Sequence, residues 1–312
     1  MSISHIKIRN LKHRLPELKQ EHFKPALNGT HHMVVISENY VVRERKNNSE
    51  LIRREARFLQ QFHHPLIPRV IWVGKIGQST ILVENRLPGT TLDKSWKQLS
   101  KATQSHIVSQ VVEFLMLLRK HHSHSAYSVV TGKTYQKFTS YLTQQITRKS
   151  KLAGKCKPAH MLLKKIMTIL NDSTSLKLFE TQPVAVHGDL INHNLLTDGK
   201  TLTGVLDFEL ALFGDKDYDL CRLFYYQECT IAYLEQGKDP SFEADYMKKL
   251  MDAVVKSPLI KNKMELKKKY GFTRAFFILG ALTWAVSSDK PQKNIRELEV
   301  LWNKNRVKQL IA

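Results

Sequence analysis

The sequence predicts an α+β fold in two parts, a small antiparallel-sheet lobe followed by a larger, mainly helical one. Three observations carry this. The first ninety residues alternate as strand, strand, helix, strand, strand. After Leu87-Pro88-Gly89 the period changes from two to that of long helices. At 312 residues the chain is long enough for two cores.

Taken in order, residues 1–22 are polar and basic with one break at Pro16, which reads as a peripheral helix or arm. Met33 to Ile36 and Tyr40 to Val42 are β-branched or aromatic runs separated by Ser-Glu-Asn, the turn chemistry of a hairpin. In "NNSELIRREARFLQQFHH", Leu51, Ile52, Glu55, Phe58, Leu59 and Phe62 fall at helical spacing; Asn48 or Ser49 can cap the start and Pro65 stops the end. "RVIWVGKIGQSTILVENRLPG" reads as two strands about Gly77. Beyond a connector near residues 84–90, helical patterns cover Ala102 to Arg119, Tyr135 to Ile146, His160 to Leu170 and most of the chain past residue 240. The basic stretch "TRKSKLAGKCKPAH" reads as exposed, and "FFILGALTW" as a core helix. The expected organisation is 1–22 as an arm or helix, 23–86 as a β-rich lobe and 87–312 as a helical lobe.

Composition excludes several classes. No run of 18 apolar residues is present, so no membrane span is expected. Cys156, Cys221 and Cys229 form no CxxC pair and read as reduced thiols; with no apolar leader at the start, a cytoplasmic protein is expected. No GxSxG elbow, Cys/His finger, aromatic RNA-binding signature or RGG tract appears. His121, His122 and His124 have the spacing of no common metal site.

The charge is strong and uneven. Lys and Arg number 49 against 28 Asp and Glu, a formal charge of +21. From Phe114 to Asn171 there is no carboxylate and 11 cations. From His187 to Asp219 there are seven carboxylates with only Lys200 and Lys216. An acidic island in a basic protein suggests a bound cation.

"VHGDLINHNLL" lies in that island. Val184 to Val186 enters as a strand and Leu195-Leu196 leaves as one, so the polar residues between them must loop. Asp198-Gly199 is a turn signal, and "TLTGVLDFE" returns as a strand ending at Asp207. A hairpin would therefore set Asp207 beside Asn194, with Asp189 in the same loop. Two oxygen ligands with a carboxylate nearby suit Mg²⁺, which keeps most of its water and takes substrate phosphate oxygens.

These residues resemble a known family. "HGDLINHN" followed by "LDFE" is similar to the catalytic loop and metal-binding turn of the aminoglycoside phosphotransferase and choline kinase superfamily, and "FGDKDYDLCRL" resembles the stretch that follows. The resemblance spans roughly residues 25 to 285. It implies the bilobal protein-kinase-like fold, a small-molecule kinase, ATP and Mg²⁺. By this resemblance Asp189 is the catalytic carboxylate, and Asn194 and Asp207 hold Mg²⁺. Arg43 touches the nucleotide phosphates from the slot where many kinases carry Lys, and Glu55 fixes Arg43. The backbone of Glu84, Asn85 and Arg86 meets the adenine as a hinge. The region expected over the phosphates, "LNGTHHMVV", has the single glycine Gly29, and Glu209 replaces the usual Gly after Asp-Phe.

The expected partner is a small-molecule acceptor such as a sugar, sugar phosphate, amino alcohol or antibiotic-like compound. The acid-free window favours a neutral or anionic one. No specific nucleic acid is expected. The competing readings are a catalytically silent pseudokinase and a basic nucleic-acid-binding protein. His187 is expected to hold the loop, His193 to lie near substrate or in solvent, Asp219 to tie down the loop or cap a helix, and Asp215 and Asp217 to be surface turn residues.

Overall fold

A computed structural model describes residue 3 and residues 5–26, 33–45, 49–237 and 244–304. The chain begins α1 (His5–Arg14), β1 (Lys24–Pro25), β2 (Met33–Ile36), β3 (Tyr40–Arg45), α2 (Ser49–Leu59), β4 (Val70–Ile76), β5 (Ser79–Asn85), β6 (Thr90–Thr91) and α3 (Leu92–Ser95). It continues α4 (Lys101–Lys120), β7 (Ala126–Ser128), β8 (Lys133–Tyr135), α5 (Phe138–Ala153), α6 (His160–Leu170), α7 (Ser173–Lys177) and β9 (Val184–Val186). Then come β10 (Leu195–Thr197), β11 (Leu202–Val205), β12 (Leu212–Gly214), α8 (Tyr218–Glu235), α9 (Ala244–Lys256), α10 (Lys263–Val286) and α11 (Pro291–Asn303). This is the mixed α+β architecture expected, antiparallel sheet first and helices after. The single glycine Gly29 and the proposed cap Asn48 lie outside the described residues.

The elements group into two compact units. The first comprises Met1–Lys97, Ser128–Gly132 and His193–Ala211; the second comprises Gln98–Tyr127, Lys133–Asn192 and Leu212–Ala312.

In the first unit a five-stranded antiparallel sheet has the order β1-β2-β3-β5-β4. Its centre, β5, is buried at six of seven positions. Two helices explain this, because successive side chains of a strand point to opposite faces. Ile81 and Val83, with Val42 of β3, pack in one cluster with Leu11 and Leu18 from the N-terminal segment. Leu82 points the other way and packs with Ile52 and Ala56 of α2. The segment that carries Leu11 and Leu18 thus folds onto the sheet. Glu44, which pairs with Ile81 across the ladder, shares the α1 face, and its carboxylate is bonded by Lys7 of α1. Arg43 pairs with Leu82 and shares the α2 face. A second, three-stranded sheet runs β11-β10-β6, with Leu195 opposite Val205 and Leu196 opposite Thr91.

The second unit is built on α10, which contacts α5, α6, α8 and α11. Thirteen of its 24 residues are buried, among them Tyr270, Phe272 and Phe276. A helix apolar on most of its circumference belongs inside a core. The "FFILGALTW" segment lies in it, with Trp284 turned outward at 69% exposure. Ser100 caps α4 by accepting the Thr103 N–H.

Two helix limits differ from the sequence reading. Tyr135 ends strand β8, and its ring packs edge-on against Tyr141. Helix α5 starts at Phe138 and runs through "TRKSKLA" to Ala153, so half of the basic stretch is helical. Lysine stems tolerate a helix, and the exposed Lys151 keeps its head in solvent.

Candidate active site

The first unit encloses a cavity of about 390 Å³ between the α2 face of the sheet and the β10–β11 hairpin. Arg43 lines it, set on that face by strand alternation. Its Nη2 donates to Glu55 Oε1 at 2.8 Å, and its Nε lies 2.9 Å from Glu84 Oε2. Burial alone would lower the guanidinium's hold on its proton, but Glu55 and Glu84 outweigh it and raise that hold above the ordinary value. A buried Arg with two carboxylates stays charged, and its fork stays oriented.

The Glu84 carboxylate is thus a partner of Arg43. It sits in β5, one alternation after Leu82, and faces α2. At the expected hinge, two backbone N–H groups are engaged within the protein. The Asn85 N–H donates to Arg69 O at 3.1 Å and the Arg86 N–H to Asn39 O at 2.7 Å. Both donors are taken by neighbouring protein carbonyls, because pairing continues past the last residues of the sheet. The Arg86 side chain is held as well, Nη1 to Ser37 O at 2.7 Å.

Asn194 and Asp207 are brought together as the hairpin predicts. The Leu206 N–H donates to Asn194 O at 2.7 Å, and both Asn194 and Asp207 line the cavity. Asp207 is in the left-handed region with φ 63°, the one non-glycine residue so placed among the described residues. That conformation costs an L-residue about 1–2 kcal/mol, and such strain gathers where function fixes a side chain. What holds the turn is visible: the Phe208 N–H donates to Glu55 Oε1 at 3.2 Å, and the buried Phe208 ring lies 6.2 Å from Phe58 of α2. Glu55 thus links Arg43 to the turn that carries Asp207. Glu209 is engaged by Arg45 at 2.9 Å, and His193 lies 3.2 Å from Asp93.

No group of three or more His, Cys, Asp or Glu side chains suited to a metal occurs among the described residues. One carboxylate and one amide are the donor set Mg²⁺ accepts, since it takes only one or two protein oxygens and leaves the rest to water and phosphate. The residues present fit that ion.

Asp189 belongs to the second unit, in the loop after β9. Gly188 holds φ 80°, which a side chain would oppose. Its N–H and that of His187 donate to the Asp219 carboxylate at 2.8 and 3.0 Å. Asp219 is therefore the tie expected of it. Burial pushes its carboxyl above the usual range, opposed by His187 and by these N–H bonds. His187 is buried and its Nδ1 accepts the Asp189 N–H at 3.1 Å, so it shapes the loop. The Asp189 carboxylate accepts the Tyr226 hydroxyl, and Tyr226 in turn accepts Arg222 Nε at 2.8 Å. Asp219, Arg222 and Tyr226 fall at i, i+3 and i+7 of α8 and so share one face. Sequence reading missed Arg222 and Tyr226, although that spacing after "YDL" is their signal.

Asp215 and Asp217 are not surface residues. Asp215 is fully buried, with Lys269 Nζ at 2.9 Å and the Thr181 hydroxyl at 2.9 Å. Asp217 receives Lys269 at 2.9 Å and Arg119 at 3.0 Å. Burial works against the Lys269 ammonium, but the two aspartates outweigh it and raise its proton affinity. The partner lies more than 50 residues away in sequence, which is why the turn composition misled.

The family model described as "Phosphotransferase enzyme family" matches residues 23–249. A segment of 51 residues is 37% identical to hygromycin-B 4-O-kinase of Escherichia coli, spanning 16% of this chain and 15% of that protein. Among solved structures, aminoglycoside phosphotransferase APH(2'')-IIa in complex with gentamicin matches with TM-score 0.65 at 15% identity over 100% of both chains. ADP-bound APH(2'')-Ib matches with TM-score 0.64 at 17% identity, over 97% of this chain and 99% of that one. A ternary complex of APH(4)-Ia with AMP-PNP and hygromycin B gives TM-score 0.61 at 15% identity, over 96% and 97%. At such identities the structures establish the shared fold. The family model covers well over half of the sequence and spans both the Arg43–Glu55 clamp and the Asp189 loop, so the chain belongs to the phosphotransferase enzyme family.

Proposed function

We propose that the protein transfers the γ-phosphoryl group of ATP, with Mg²⁺, to a hydroxyl of a small molecule. One observation carries the reading. The cavity of the first unit is lined by Glu55, Glu84, Asp207 and Glu209 against Arg43 and Arg86, an excess of carboxylates. A bare polyphosphate would be repelled there. A polyphosphate that arrives with a divalent cation would not, because Asn194 and Asp207 supply oxygens for the cation and Arg43 a fixed cation for phosphate oxygens. The neighbouring structures described with ADP or AMP-PNP support a nucleotide in this place, and those with hygromycin B or gentamicin support a polyhydroxylated acceptor.

In this reading the first unit binds the nucleotide and the second supplies the acceptor side. The bound ion would neutralise charge on the phosphates. Asn194 and Asp207 would hold it, and Glu55 would keep Arg43 and the Asp207 turn in place. Asp189 would orient the acceptor hydroxyl and accept its proton. The acceptor oxygen bonds to the γ-phosphorus as the bond to the β–γ bridging oxygen breaks, and ADP leaves with that electron pair. Purine recognition falls to carbonyls and side chains around Glu84 to Leu87, since the Asn85 and Arg86 N–H groups already have acceptors.

Thermal unfolding tests the reading. With ATP at 100 times its dissociation constant, Mg²⁺ should stabilise the wild type by about 2.7 kcal/mol. The shift should disappear with EDTA and shrink in Asp207→Asn. An equal shift without Mg²⁺, or none at all in folded protein, sinks it.

A further inference from the structure

A row of polar and aromatic contacts crosses three helices of the second unit. Contacts lead from Asp189 to Tyr226, from Tyr226 to Arg222, and from there through two aromatic rings to a lysine. The Arg222 guanidinium lies 4.9 Å from the ring centres of both Tyr226 and Phe277. Phe277 neighbours Phe276 at 6.0 Å, and the Lys149 ammonium sits 4.1 Å over the Phe276 ring. Gly280 admits that ammonium, since a Cβ there would come within 3.1 Å of Nζ.

Burial works against the Arg222 charge, and Tyr226 and Asp189, which face it, strengthen its hold on its proton. Arg222 gives Nε to Tyr226, and among the described residues its Nη atoms meet no protein acceptor and no carboxylate pairs with Lys149. The charged neighbours of Lys149 are Arg222 and Arg148; with burial foremost, they push its ammonium down to about 7. Helix α5, which carries Lys149, has no carboxylate. On α8, Asp219 serves His187 and Gly188, Glu228 serves Arg274 and Tyr270, and Glu235 serves Lys304. On α10 the one carboxylate, Glu265, serves Lys269. Each carboxylate of these helices has a protein partner, and the carboxylate at the end of the row is Asp189, in the loop after β9. An anionic group near both would hold the proton on Lys149, because a partly desolvated guanidinium and ammonium bind anionic oxygens more strongly than exposed ones do.

We propose that Arg222 and Lys149 form an anion-recognising subsite beside Asp189, so that the hydroxyl acceptor carries a carboxylate or phosphate group. This rests on the phosphotransferase reading for its chemistry, but the subsite binds whether or not transfer occurs.

The test separates the two. The thermal shift with Mg-AMP-PNP reports the nucleotide site alone. With that site saturated, inorganic phosphate is titrated against chloride at matched ionic strength. Phosphate should raise the melting temperature of the wild type; Lys149→Met should weaken its apparent affinity at least tenfold, and Lys149→Arg should restore it. No phosphate shift, or one unchanged in Lys149→Met, overturns the subsite even when the nucleotide shift is intact. Four probes on one carbon skeleton then read acceptor charge by ADP release: glucose 6-phosphate, gluconate, glucose and glucosamine. Turnover of either anionic probe, with KM raised at least tenfold in Lys149→Met, supports the subsite, and which of the two is used separates phosphate from carboxylate. Turnover of glucosamine in preference to both overturns it and leaves the phosphotransferase reading standing. If none is turned over, the phosphate titration decides.

Discussion

Arg43 holds two carboxylates with one planar fork, and that geometry is why it is arginine. A lysine there keeps the charge but cannot bond Glu55 and Glu84 together in fixed directions. Arg43→Lys should raise the KM for ATP about tenfold, equivalent to ~1.4 kcal/mol, with the fold intact by circular dichroism; an unchanged KM would remove Arg43 from phosphate binding. Lys149 makes the opposite kind of bargain. Its ammonium is held at about 7, whereas in the unfolded chain a lysine titrates near 10.5. Between those values the unfolded chain carries a proton that the folded one lacks, so stability rises with pH across that window and the burden is full below pH 7. The groups facing the ammonium are Arg148 on its own helix, Arg222 from α8 and the Phe276 ring from α10. Lys149→Met should therefore raise the melting temperature at pH 6 by a few degrees, with a smaller gain at pH 10; a gain equal at both would show that the charge carries no cost. Residues like these are where sequence reading stopped. Asn194 and Asp207 were legible because a short hairpin joins them. Arg222, Tyr226 and Lys149 meet only when α5, α8 and α10 pack, and no local pattern encodes that. Glu84 was assigned to a backbone role because its facing depends on strand alternation relative to α2.

At the scale of elements, the sheet of the first unit is a two-faced object. Its α2 face carries the charged Arg43 and Glu84 beside the packing of Leu82 on α2, and its other face carries the larger apolar cluster. Leu11 and Leu18 are fully buried on that second face. Leu11→Ala should destabilise the protein by about 2–5 kcal/mol, measured by denaturant midpoint; a loss below ~0.5 kcal/mol would mean that the α1 contact is not kept in solution. The strand and helix order of residues 33–85 was legible from period alone, since the alternating runs are short and bounded by turn residues. The α1 contact was not, because a basic ten-residue helix with few apolar positions looks the same whether it packs or hangs free. The "FGDKDYD" turn misled for a related reason. Aspartates in a glycine-containing stretch read as solvated, and only the approach of Lys269 from α10 makes them core residues. Removing that lysine would leave two buried carboxylates facing each other with one cation fewer.

Over the whole molecule the uneven charge had a structural meaning that totals hide. The acidic island divides into the turn of Asn194 and Asp207, the loop tie of Asp219 and the buried Lys269 network, while the acid-free window runs from the end of α4 through α5 and α6. No helix among the described residues is long and apolar enough to cross a membrane. The division into a β-rich and a helical part followed from the change of period near Leu87. That a hairpin from the middle of the chain joins the first unit did not. The family match begins at residue 23, after α1. Anyone cutting the gene at that boundary would strip α1 from the sheet, bare Val42, Ile81 and Val83, and leave the Glu44 carboxylate without Lys7. A shortened protein of this kind should collect in inclusion bodies, and the yield of its soluble fraction against that of the full chain would show it.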